Sequence, residues 1–204
     1  MTILVVDYGV SNLLSVTRAL ENAGCVVRVS GDPDAISDAE RIVLPGVGSF
    51  AEAMTQLHQR ELVYPLRRAV IEGRVPLLGI CLGMQLLADR GFEVREIGGL
   101  GFVRGKVVRL EPQGKSDRVP HVGWNEVALR RADQLFDHVK SGTDFYFAHS
   151  YQLVAEDEKD VLAVCDYCGG VTAAVRKENV FGVQFHPEKS AEAGAQILKN
   201  FLDA

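Results

Sequence analysis

The stretch PLLGICLGMQLLADR, residues 76–90, decides how the rest of the chain is read. Residues 76–80 have the short, continuous apolar run of a buried strand, and residues 84–90 carry apolar side chains at helical spacing. Cys81 therefore falls at a strand-to-helix turn, framed by Gly79 and Gly83. This is the cysteine form of the Gly-x-nucleophile-x-Gly elbow, in which glycines permit a sharp, strained turn that lifts one side chain out of the sheet. The N–H groups opening the next helix would favour a thiolate and could hold an oxyanion. A free cysteine is equally well a small buried hydrophobe. The elbow needs partners elsewhere in the chain before it means catalysis.

Working outward, the 204 residues are 47% hydrophobic and 24% charged, the balance of a soluble globular protein long enough to bury a sizeable core. A net charge of −5, with no basic run, argues against nucleic acid and against a membrane surface as partners. Met1 leads straight into TILVVDYG without a charged and then apolar leader, so the expected location is cytoplasmic. The four cysteines at 25, 81, 165 and 168 do not form a disulfide framework for such a chain. CDYCGG contains a Cys-x-x-Cys, but no second pair completes a zinc site, and no metal is expected. It lies between two strand-like runs with Gly169 and Gly170 following, the signature of a hairpin turn.

The first half alternates strand and helix. TILVVDY is a strand, residues 11–23 a helix, CVVRVS a strand, PDAISDA a short helix, RIVLPG a strand and residues 50–72 a long helix before the elbow. Such units predict a parallel sheet covered on both faces, with ligands at the carboxyl ends of its strands. The second half reads as strands separated by turns: GFVRGKVVRL, RVPHVGWNEVAL, DFYFAHSYQLV, DVLAVCDY, VTAAVRK and VFGVQF. A helix over residues 191–202 closes the chain. The fold class is α/β: three layers, a mostly parallel central sheet with flanking helices, and an antiparallel extension, as a single domain over residues 1–204.

A thiol nucleophile needs a base within hydrogen-bond reach, and the base needs an orienting group. His58 and His138 sit among polar helix positions and read as solvated; His121 and His149 lie on strands beside aromatic residues and suit either core or site. His186, in FGVQFHPEKS, stands where a strand ends and the last helix begins, on the rim where the elbow should open. Glu188 follows two residues on, with Pro187 holding the backbone between them extended, so both side chains face one way. Pro187 and Glu188 also suit the first turn of a helix. LPGVGSF, residues 44–50, ends a strand in a glycine-rich turn whose N–H groups, at Val47 or Gly48, could pair with the N–H of Leu82 as an oxyanion hole. It is otherwise an ordinary strand-to-helix turn.

At these residues the chain resembles the class I, triad-type glutamine amidotransferases, whose fold is flavodoxin-like. GICLGMQ looks like their nucleophile elbow, LPGVGSF like their oxyanion strand and GVQFHPEKS like their His-x-Glu segment. The DYG..NL.S opening, PHVGWN and FYFAHSY narrow the resemblance to the glutaminase subunits of imidazole glycerol phosphate synthase. Ser11, where many relatives carry glycine, and Cys168, where glycine is common, depart from the pattern. The resemblance implies a Cys81–His186–Glu188 triad that hydrolyses glutamine through a thioester, without a cofactor. It also implies that Gln85 and the Ser150-Tyr151 backbone bind the glutamine head group, with Glu93 on its ammonium. Since the motifs occupy almost the whole chain, the ammonia acceptor must sit on another protein. In the family this is a (β/α)8-barrel cyclase subunit. The resemblance places Asn12, His121, Trp124, Asn125 and Lys189 at or near that interface. Trp124 reads otherwise as a core aromatic.

Three rivals stand beside this reading. They are a thiol hydrolase acting alone, a non-catalytic binding subunit, and a class I glutaminase serving another synthase.

Overall fold

The computed structural model describes residues 1–10, 12–114 and 117–204; Ser11, with its departure from the family pattern, lies outside them. Strand β1 (Thr2–Val6), helix α1 (Leu13–Asn22), β2 (Val26–Ser30), α2 (Pro33–Ser37), β3 (Ile42–Gly46), α3 (Phe50–Gln59), α4 (Val63–Arg67), β4 (Leu77–Cys81) and α5 (Leu82–Leu86) follow in order. Then come β5 (Ala88–Phe92), β6 (Glu96–Gly98), β7 (Val103–Arg109), β8 (His121–Leu129), β9 (Thr143–His149), β10 (Tyr151–Ala155), β11 (Val161–Cys165), β12 (Val171–Lys177), β13 (Val180–Val183) and the closing α6 (Ala191–Leu202).

Nine strands form the central sheet in the order β2-β1-β3-β4-β13-β12-β11-β8-β9. Pairing is parallel from β2 to β13 and antiparallel from there to β9. Strand periodicity explains the layering. Ile3 and Val5 pack on the face that carries α1 and α6, while Leu4 and Val6 pack on the face that carries α2, α3 and α4. Both faces are apolar, as a buried parallel sheet requires. The second face also receives a small sheet ordered β10-β7-β5-β6. Cys165 and Val171 face each other across the β11–β12 hairpin, and all four cysteines are free thiols.

Three details depart from the sequence reading. The helix expected over residues 50–72 is broken: α3 stops at Gln59, Glu61 takes φ +59°, and α4 ends in a wide turn over Arg68–Glu72. Pro65 lacks an N–H and its ring would strike the preceding turn, so a helix can hold it only near a fresh start. The elbow helix is a single turn, and residues 88–92 are a strand. The carbonyls of Leu86, Leu87 and Ala88 accept N–H groups from Leu100, Phe102 and Gly101, so tertiary partners replace the next helical turn. Finally, DFYFAHSYQLV is two strands: β9 belongs to the central sheet and β10 to the small one, with the switch at Ser150.

Candidate active site

Strands β3, β4 and β13 run in register, with Gly46 beside Cys81 and Val183 beside Ile80, so their carboxyl ends share one rim. At that rim Cys81 holds φ +54° and ψ −109°, a conformation that costs a non-glycine residue about 1–3 kcal/mol. The flanking glycines are required by close approach. A Cβ on Gly83 would stand 1.8 Å from the Leu44 carbonyl oxygen, and one on Gly79 would stand 2.6 Å from the Gly83 carbonyl oxygen. The elbow therefore folds onto β3 with no room for a side chain.

His186 arrives from the end of β13, its backbone N–H bonded to the Tyr146 carbonyl at 2.9 Å. Its Nδ1 lies 2.8 Å from Glu188 Oε1, and Cys81 is close enough to act on its charge. Both members of the His186–Glu188 pair are buried. Burial opposes a charge on His186, but Cys81 and the bonded Glu188, with their negative charge, outweigh it and push the imidazole up to about 9. Glu188 Oε2 is buried without a hydrogen-bond partner among the described residues, so His186 is the group that meets this carboxylate's charge.

Gln85, on α5, is buried; its Nε2 donates to the Tyr151 carbonyl at 2.8 Å and to Gln184 Oε1 at 3.1 Å. Ser150 offers its carbonyl to the Leu110 N–H at 2.9 Å. Glu93 accepts the Phe50 N–H at 2.6 Å, which places its carboxylate at the N-terminus of α3. Among the three oxyanion candidates, Leu82 opens α5, where N–H groups have no intrahelical acceptor. Gly48 takes φ +101°, open to glycine. The Val47 N–H donates to the Val10 carbonyl at 3.3 Å.

His121, read from the sequence as core or site, lies inside. It is buried, stacked between Phe147 and Tyr167 with ring centroids 4.6 and 3.9 Å away. Its Nδ1 meets His149 Nε2 at 3.0 Å, and His149 Nδ1 donates to the Tyr151 carbonyl at 2.8 Å. Asn125 Nδ2 closes this chain at 3.4 Å from His121 Nε2. Burial holds both histidines down at about 4. Trp124 lies on the surface, 54% exposed, edge-on to Tyr146, and the exposed Lys189 places its ammonium 5.6 Å from the same Tyr146 ring. Asn12, half-buried at the start of α1, accepts the Ser15 hydroxyl.

Two residues went unread in the sequence. Tyr8, fully buried, donates its hydroxyl to the Pro45 carbonyl at 2.8 Å and braces the end of β3. Gln184, also fully buried, donates from Nε2 to Cys81 Sγ at 3.8 Å. A polar residue within the apolar run GVQF, two positions before His186, was the available signal.

An α/β sheet with a cysteine elbow, a histidine on the neighbouring parallel strand and a carboxylate behind it is the architecture of a triad-type amidotransferase. The chain belongs to the class I glutamine amidotransferases: the family model "Glutamine amidotransferase class-I" matches residues 4–204. Membership makes it a glutaminase by class. More particularly, it is 47% identical to the imidazole glycerol phosphate synthase subunit HisH of Moorella thermoacetica, over 98% of this chain and 93% of that protein. It is 44% identical to the HisH subunit of Syntrophotalea carbinolica, over 98% and 99% respectively. In fold it matches the structure of PurLQS from Thermotoga maritima with a TM-score of 0.77 at 23% identity, covering 99% of this chain and 97% of that one. No helix among the described residues is long and apolar enough to cross a membrane.

Proposed function

We propose that this chain is the glutaminase subunit of an imidazole glycerol phosphate synthase, in histidine biosynthesis, and hands ammonia to a cyclase subunit. The observation that carries the chemistry is His186 between Cys81 and Glu188 on a shared strand rim. With Nδ1–H on Glu188, the other ring nitrogen is free to take the proton of the sulfur. The Cys81 sulfur then attacks the glutamine carboxamide carbon, and its oxygen gathers negative charge beside the N–H of Leu82 and the turn at 47–48. His186 returns the proton to the departing nitrogen as ammonia leaves, and a thioester remains. A water deprotonated by His186 adds to that thioester, glutamate leaves, and the thiol is restored. Gln85, Ser150, Tyr151 and Glu93 hold the glutamine.

The oxyanion hole gains its full donor set only when the Val47 N–H leaves the Val10 carbonyl, so the free chain is expected to be slow. Val10 lies two residues from Asn12. The exposed Trp124 and Lys189 pack on Tyr146, whose ring centre is 6.4 Å from that of His186. A (β/α)8-barrel cyclase docking on this face, over Asn12, Trp124 and Lys189, would cover the mouth of the site, while Asn125, on the opposite side of β8, bonds His121. Ammonia released into neutral water would be protonated and lost as a nucleophile. The test is glutamate release by the chain alone and with a cyclase subunit carrying its nucleotide ligand. A steep rise in the complex, abolished by Cys81→Ala with partner binding intact, is expected. Full activity alone and no response to the partner would overturn the reading in favour of an independent amidase.

A further inference from the structure

We infer that Gln184 is a further catalytic residue, the hydrogen-bond donor that holds the Cys81 sulfur as the nucleophile. The inference rests on Cys81 being that nucleophile. A glutamine side chain with no solvent exposure is tolerated only when its amide is bonded, and the bonds of Gln184 run to the site. Gln184 and His186 stand two residues apart after β13, Phe185 between them stacks on Phe145 at 4.1 Å, and a tight 3₁₀ turn over Pro187–Lys189 brings Glu188 back onto His186. One short run of backbone thus brings a donor, a base and an orienting carboxylate to the same sulfur. Its direction is anchored by two backbone bonds, from Gln184 N–H to the Ala173 carbonyl and from His186 N–H to the Tyr146 carbonyl, each 2.9 Å.

Amide orientations are ordinarily ambiguous because oxygen and nitrogen look alike. Here the ambiguity is removed by a group that cannot donate. The Tyr151 carbonyl is an acceptor, so Gln85 must turn its NH2 group toward it. The second N–H of that NH2 then meets Gln184 at 3.1 Å, so Gln184 must offer its oxygen there. What Gln184 has left for Cys81 is N–H, 3.8 Å from Sγ. A neutral thiol gains little from such a donor, whereas a thiolate gains a charge-assisted bond that lies opposite in role to the base. The same arithmetic leaves Gln85 only its oxygen for a substrate, so Gln85 recognises glutamine as an acceptor.

Gln184→Met keeps the length of the side chain and removes the donor; Gln184→Glu keeps the acceptor for Gln85 and turns a carboxylate oxygen on the sulfur. The readout is alkylation of Cys81 by iodoacetamide in the full chain, followed on the tryptic peptide of residues 75–90. At pH 7 both variants should alkylate about ten-fold more slowly than the native chain, with the methionine variant catching up near pH 10. The kcat for glutamine should fall in parallel while KM stays within about two-fold. Native alkylation at pH 7 in Gln184→Met overturns the inference, as does a loss equal at every pH. Failure of both variants to fold assigns Gln184 to packing and also overturns it. Glutaminase activity that survives Cys81→Ala would instead sink the nucleophile reading itself.

Discussion

The backbone at Cys81 invites a stability experiment whose sign runs against habit. At an ordinary buried position, replacing alanine by glycine costs about 0.5–1 kcal/mol in backbone entropy and about 0.8 kcal/mol for the lost methyl burial. Glycine is then the less stable variant by roughly 1.5 kcal/mol. At Cys81, 5% exposed, the φ of +54° and ψ of −109° load any Cβ-bearing residue with about 2 kcal/mol of strain. Cys81→Gly removes that strain and Cys81→Ala retains it, so the order should invert. Cys81→Gly is expected to be more stable than Cys81→Ala by about 0.5 kcal/mol, or about 1–2 °C in Tm for a chain of this size. Urea unfolding of the two variants, both inactive, measures the difference without interference from the thiol. A Cys81→Gly protein less stable than Cys81→Ala by 1 kcal/mol or more would refute the reasoning, because an unstrained turn gives that result.

Glu188→Ala should lower kcat by roughly 10²-fold and His186→Ala by more, since an imidazole that has lost its orienting carboxylate can still move a proton. Equal losses in steady-state kinetics would contradict the ranking. Stability should fall in acid through His149. Burial holds it at about 4 against 6.5 when unfolded, so the neutral ring contributes fully above pH 6.5. That contribution is lost as the unfolded chain takes up protons between pH 6.5 and about 4, and it changes no further below. The loss is roughly 3 kcal/mol for His149. His149→Asn should flatten the fall in urea midpoint between pH 7 and pH 4.5, and an unchanged fall would exclude the pair as its source.

Short-range patterns in the chain carried the parts that depend on neighbours within a few residues. The elbow glycines and the alternation of strands and helices are local demands: a turn without Cβ atoms and a sheet apolar on both faces. The His-Pro-Glu segment took the helical-turn form its proline allows, not the extended one, and still pairs His186 with Glu188. What was missed depends on partners far along the chain. Residues 86–88 were helical by spacing and became a turn and a strand because residues 100–102 supplied their hydrogen bonds. Pro65 was a local signal that the long apolar period concealed. The sequence left His121 open between core and site, and Phe147, Tyr167 and His149, which close around it, decide for burial.

The same division holds at the site. The candidate triad was legible in the order of amino acids, because Cys81, His186 and Glu188 are reactive residue types and each sits in a short motif. How the site is set was decided by tertiary structure alone. That the Val47 N–H is spent on Val10, that Gln184 turns its N–H to the sulfur, and that Tyr8 braces β3 are facts of hydrogen-bond direction between segments up to 103 residues apart. A sequence names donors and acceptors; only the fold pairs them.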